Sequence, residues 1–220
     1  MNLIAEHFPD SWLLAGWLLT LWCLLHAARR VPWLTLRQSE LTAWFGATVV
    51  VLVLWQFKAQ LQPGIAFHLV GATALTLIAG PERARLGLAV ALAADAAQGD
   101  GQWASLGLSW LVIAGLPTTL TAALLRLAQR RLPANYFVYI FLNCFAAGAL
   151  SMWAVGLAGC ALLALAGAYP AAFLFEEQFP YYFLMGWPEA FLTGIHLTLL
   201  VVYRPQWVRT FDDRFYLWRK

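Results

Sequence analysis

Seven apolar runs, separated by short polar or basic segments, account for most of the chain. They are Trp12 to Ala28, Leu41 to Phe57, Ile65 to Gly80, Leu86 to Ala97, Trp103 to Leu127, Tyr136 to Ala168 and roughly Met185 to Tyr203. The hydrocarbon core of a bilayer offers backbone N–H and C=O groups no water. A segment that enters it must therefore hydrogen-bond to itself as a helix or close into a barrel. With 62% hydrophobic and only 11% charged residues, against about 25% charged in a soluble domain, the chain reads as an all-α polytopic membrane protein. No polar stretch is long enough to fold alone, so residues 1–220 form one integral membrane domain. The twelve tryptophans suit the membrane interface.

A span needs about 20 residues, so the fourth run is short, the sixth is long, and length alone leaves the count open. Positive charge closes it. Of the 14 Lys and Arg residues, 13 fall in four clusters: Arg29 to Arg37, Arg83 and Arg85, Arg126 to Arg131, and Arg204 to Lys220; only Lys58 lies apart. If all four clusters face the cytoplasm, two crossings separate each from the next and one precedes the first. That predicts about seven transmembrane helices, with the N-terminus outside and the C-terminus cytoplasmic. The fourth run must then cross, starting at Pro81 and continuing to Gln98. The sixth holds one span, and Gly167 to Pro180 forms an outer connection, an interfacial loop or short helix carrying Glu176 and Glu177. Topology accounts for the basic residues, and no nucleic-acid partner is expected.

Within this frame the stretch Gly64 to Pro81 attracts attention because His68 sits about a turn inside its outer end. An imidazole in an apolar setting must find a partner. On the outer side the layout also places the Met1 to Ser11 tail, Lys58 to Gly64, the Gln98 to Gln102 turn and Trp187-Pro188-Glu189. The first eleven residues carry Glu6 and Asp10 and no Lys or Arg, the wrong polarity for a cleavable signal. A free amine on Met1 is expected, since Asn2 is too bulky for the usual removal of the initiator methionine. The outer face thus gathers an amine, His7, His68 and several carboxylates. Amine, imidazole and deprotonated amide nitrogens suit Ni²⁺, Co²⁺, Cu²⁺ and Zn²⁺. His68 is also readable as a satisfied structural residue, and His7, in a polar tail, is the lesser candidate. Asp95, near the outer end of the fourth span, is open to a functional or a hydrogen-bonded structural reading. His196 and His26 are read as structural. Cys23, Cys144 and Cys160 lie in apolar runs without C-x-x-C spacing and read as core residues.

The run Phe67-His68-Leu69-Val70-Gly71-Ala72-Thr73, continuing to Gly80-Pro81, is followed by Gln98-Gly99-Asp100-Gly101 and Leu106-Gly107. This order resembles the cobalt/nickel (CbiM/NikM-like) substrate-binding membrane subunits of energy-coupling-factor transporters, with their H-L-x-G, G-P, G-D-G-like and L-G-A-N segments. Met1-Asn2-Leu3-Ile4 with Glu6, Phe8 and Pro9 is similar to the family's opening M-H-I-x-[DE]-G-F-L-P, and Gly186 to Thr193 to its late G-x-x-E-G-L-I-T. The resemblance implies a metal site made of the Met1 amine, the Asn2 backbone nitrogen and His68. The family's second-position imidazole is missing, since Asn2 stands there; His7 is the candidate to replace it if the tail folds back. Leu108-Ser109 stands where the family has Ala-Asn, so the surroundings of the site differ. The resemblance further implies two ATPase subunits and a transmembrane coupling protein as partners. The chain itself has no G-x-x-x-x-G-K-[ST] phosphate loop. The expected function is uptake of a divalent transition metal ion as substrate, Ni or Co favoured and Zn or Cu open. A related subunit for another small solute such as a vitamin is the alternative. An intramembrane enzyme would need a catalytic pair, and Asp95, His68, His196 and Glu189 show no recognised catalytic spacing, so the chain is not expected to be an enzyme.

Overall fold

A computed structural model describes residues 3–62, 65–99 and 102–217. Among the described residues, five helices are long and apolar enough to cross a membrane: α1 (Asp10–Arg30), α2 (Gln38–Gln56), α5 (Leu106–Arg131), α6 (Tyr136–Leu165) and α7 (Phe173–Tyr203). Between α2 and α5 the chain forms a hairpin of β1 (Ala59–Gln62) and β2 (Ile65–Phe67), then α3 (Ala72–Ala79) and α4 (Pro81–Gln98). A last turn of helix, α8 (Asp213–Tyr216), follows α7.

The third apolar run is where the structure departs most from expectation. It is not one helix. Glycine at two positions divides it: Gly71, at φ 67°, starts α3, and Gly80, at φ 84°, ends it, both in backbone regions that side chains with a Cβ avoid. The eight residues between them reach only about 12 Å. Upstream, the chain is extended and pairs as β2 with β1, with Ala59 opposite Phe67 and Gln60 opposite Ala66. An extended strand inside an apolar body needs its backbone groups satisfied, and the hairpin does this. His68 accordingly lies in the loop between β2 and α3 rather than on a helix.

Short as it is, α3 is the centre of the molecule. Helices α2, α4, α5, α6 and α7 all pack on it, and every residue of it but Ala74 is buried. Of its two polar side chains, Thr76 Oγ1 donates to Ala72 O of the same helix at 2.7 Å, whereas Thr73 Oγ1 is met by hydroxyls of neighbouring helices, 3.0 Å from Thr121 Oγ1 and 2.9 Å from Ser151 Oγ. Such bonds between helices in lipid are worth about 0.6–2 kcal/mol each. At the far end of α3 the segment after α7 folds beneath it. Arg209 N donates to Ile78 O at 2.9 Å and Thr210 Oγ1 to Leu77 O at 2.7 Å, satisfying carbonyls that a helix end leaves orphaned.

The fourth run becomes α4 with the bounds anticipated, Pro81 supplying the first turn where its missing N–H costs nothing. The last helix starts much earlier than expected. It begins at Phe173 rather than near Met185, so most of Gly167 to Pro180 is helix, continuous with α7 instead of a separate loop or short helix. Glu176 and Glu177, which interrupt the hydropathy there, are on the exposed side and cost the helix nothing. Two buried charged residues, Arg83 and Asp95, are each paired with an opposite charge. Arg83 is buried, bonded to Ala79 O at 2.6 Å and to Glu40 at 3.2 Å, and Lys58 pairs with buried Asp95 at 3.2 Å.

Candidate functional site

The loop from Phe67 to Gly71 is held on three sides. The Glu189 carboxylate, 2% exposed on α7, accepts from both Val70 N and Gly71 N at 2.8 Å. This is a negative charge at the N-terminus of α3, where orphaned amides and the helix dipole favour it. Trp55 Nε1 on α2 donates to Val70 O at 3.1 Å. Gly71 itself cannot be replaced cheaply, because a Cβ there would lie 2.9 Å from Val51 Cγ2 in addition to the positive φ.

His68, 4% exposed, packs its ring at 5.4 Å from that of Trp55. Its Nδ1 lies 3.0 Å from Leu69 O. A carbonyl only accepts, so Nδ1 carries the proton, and Nε2 is left with the lone pair that a metal would take. This is the orientation in which one ring nitrogen is anchored so that the other can coordinate.

The N-terminal tail is drawn into the bundle rather than left in solvent. Leu3 is 1% exposed and shares the core cluster of Trp55, Phe67 and Val70. Its N–H donates to Ser109 Oγ at 3.3 Å, its carbonyl accepts from Ser105 Oγ, and Ala5 N donates to Gln102 Oε1 at 3.0 Å. Ser109, the residue that departs from the resemblance, therefore still serves the tail. The tail reaches it because α5 approaches α1 closely: Gly107 has room for no Cβ, which would lie 2.7 Å from Trp17 backbone, and Thr20 Oγ1 donates to Gly107 O at 2.8 Å.

Of the expected ligands, Met1 and Asn2 lie outside the described residues, as do Asp100 and Gly101 of the turn. His7 is the last residue of a turn of 3₁₀ helix, Ala5–His7, and packs edge-on against Tyr169 at 5.5 Å; its Nε2 is buried with no hydrogen-bond partner among the described residues. The two imidazoles thus have different ring neighbours, Tyr169 for His7 and Trp55 for His68. Among the described residues no group of three or more His, Cys, Asp or Glu side chains could hold a metal. Asp95 is engaged by Lys58 and by Gln56 Nε2 at 3.4 Å, the structural alternative. His196 bonds its own helix through Nδ1 and Leu192 O at 2.6 Å, His26 stacks on Trp22, and the three cysteines are free thiols.

Glu189 is the residue that sequence reasoning did not place in the site. The signal was present: Glu189 is the one carboxylate in the apolar run from Met185 to Tyr203, and a carboxylate buried there must find donors to accept from.

Long apolar helices around a buried short one, with Leu3 of the chain's own tail in the same core as the loop that carries His68, define a polytopic helical membrane protein. The chain belongs to the CbiM family: the family model, described as the cobalt uptake substrate-specific transmembrane region, matches residues 2–207. Two solved structures have the same fold. A truncated transition metal transporter superposes with a TM-score of 0.81 at 19% identity, covering 92% of this chain and 99% of that one. A transition metal transporter gives 0.79 at 19% identity, covering 91% and 92%. No curated protein matches the chain significantly.

Proposed function

We propose that this protein is the substrate-capturing membrane subunit of an energy-coupling-factor transporter, taking up a divalent transition metal ion of the cobalt or nickel class. In this reading the bundle crosses a bacterial inner membrane seven times, with the N-terminus outside and the C-terminus cytoplasmic. α4 and the hairpin with α3 supply the crossings beyond the five long helices. The ion enters from outside and meets the Met1 amine, the Asn2 backbone nitrogen and His68 Nε2, with His7 as the candidate for the nitrogen that Asn2 does not offer. Two ATPase subunits and a transmembrane coupling protein drive release.

The observation that carries this reading is the clamped tail. Only two residues, a reach of about 7 Å, separate the amine from Leu3, which Ser105, Ser109 and the core hold in place. A solvent-exposed tail has no physical reason to be fastened through its backbone at so early a residue, whereas a chelating amine does, because a nitrogen that is already positioned binds without the entropic cost of ordering. The anchored Nδ1 of His68 supports the same conclusion.

The deciding measurement is metal content of the purified protein, offered Ni²⁺, Co²⁺, Zn²⁺ and Cu²⁺ in competition, for the wild type and for His68→Ala. Stoichiometric Ni²⁺ or Co²⁺ in the first and none in the second is the expected result. Equal metal content in both proteins would sink the assignment.

A further inference from the structure

A groove of about 430 Å³ opens on the side of α3 not covered by another helix. Its floor runs along α3 from Gly71 to Ile78, and Ala74, the one residue of α3 not fully buried, lies in it. One wall is α2 from Thr42 to Leu54; the other is α7 from Glu189 to Leu200. At 1.5 Å per residue these walls are about 18 and 16 Å long, close to one leaflet of a hydrocarbon core about 30 Å thick.

One end is closed by the loop that carries His68. The other opens at Trp207, with Arg209 laid over Gly80 close by; both Arg204 and Arg209 are exposed. Neither arginine has an ion-pair partner among the described residues. An apolar slot one leaflet deep, with tryptophan and unpaired guanidinium groups at its mouth, has the charge and length of a lipid site. Aromatic residues favour the interface, and guanidinium favours phosphate.

We propose that the groove holds one acyl chain of an anionic phospholipid from the arginine-side leaflet, its headgroup phosphate resting on Arg209 and Arg204. A transmembrane helix of a partner fits less well, because a helix crossing the whole core would find a groove along only half its length. Nor does the exposed polar side chain of the α7 wall require a partner, since His196 is already bonded to Leu192 O. The lipid would touch Leu69 and Gly71 from behind, at the backbone that Glu189 fixes through Val70 N and Gly71 N. The proposal stands independently of the metal reading.

Native mass spectrometry of the full-length protein tests it, after release from vesicles of equal phosphatidylglycerol and phosphatidylcholine. The expected result is retention of about one phosphatidylglycerol per chain in preference to phosphatidylcholine. Two substitutions probe the two halves of the site. Gly46→Leu fills the slot without a clash, since a Cβ there meets nothing within 4 Å, and Arg209→Gln removes a phosphate contact. Each should lower retained phosphatidylglycerol by about fivefold or more, while Arg131→Gln, in another basic cluster, leaves it unchanged. Equal retention of both lipids, no retained lipid, or retention that survives both Gly46→Leu and Arg209→Gln would overturn the proposal.

Discussion

At the scale of single residues the proposed site depends on one anchored imidazole and one buried carboxylate, and the two are expected to fail differently. In the proposed site His68→Ala removes a ligand and the bond of its ring to Leu69 O, but leaves the two amides that Glu189 holds. Binding of Ni²⁺ or Co²⁺, followed by calorimetry, is expected to vanish, and the melting temperature to fall by what the buried ring's packing on Trp55 contributes. Glu189→Ala removes the acceptor for two amides, each a charge-assisted bond worth about 1.5–3 kcal/mol. It should lower thermal stability and, by freeing Val70 and Gly71, weaken metal binding as well. A protein whose stability and affinity both survive Glu189→Ala would show that the loop is held by something else. Protons compete with metal for imidazole and amine nitrogens, so affinity in the wild type should fall as pH is lowered, and calorimetry at a series of pH values reads this directly. His196→Ala, remote from the His68 loop, should leave affinity nearly unchanged.

At the scale of elements, the tail and α5 act together. Adding one residue before Met1 displaces the amine from any chelate with His68, and in the proposed site it should cost as much affinity as His68→Ala. Ser109→Ala removes only the hydroxyl that receives Leu3 N–H, so it should weaken binding moderately while Ser105 still holds the neighbouring carbonyl. Metal uptake indifferent to both the extension and His68→Ala would mean that the ion binds elsewhere. The hairpin and α4 carry a second, unrelated element pair, Lys58 with Asp95. Asp95→Asn leaves the ammonium without its carboxylate, and the expected outcome is a lower melting temperature with metal affinity retained. Loss of metal with unchanged stability would move Asp95 into the site.

At the scale of the whole molecule, the proposed topology places Gln102 outside and Gln129 inside. Single cysteines introduced there and treated with an impermeant thiol reagent on intact cells should be modified only at 102; equal labelling excludes the seven-crossing arrangement. The proposed dependence on partners is checked by expressing the protein in cells lacking any coupling ATPase, where metal uptake should be absent. Uptake by this chain alone would make it a self-contained carrier.

Composition and the spacing of apolar runs by themselves determined that this is a helical membrane protein, because a bilayer leaves a polar backbone so few ways to be satisfied. The order of short motifs likewise determined its family. His68 was legible as a residue needing a partner for the same reason. What only the tertiary structure decided is how the centre is built. Hydropathy reads Ile65 to Gly80 as one apolar span, since a paired strand and a buried helix are equally apolar; the division at Gly71 appears only when Val51, Trp55 and Glu189 close around it. Glu189 meets Val70 and Gly71 across 119 and 118 residues of sequence, and Leu3 meets Ser109 across 106. No local pattern encodes such pairings. They exist because buried amides and carboxylates must find each other wherever the packing of apolar helices brings them within reach.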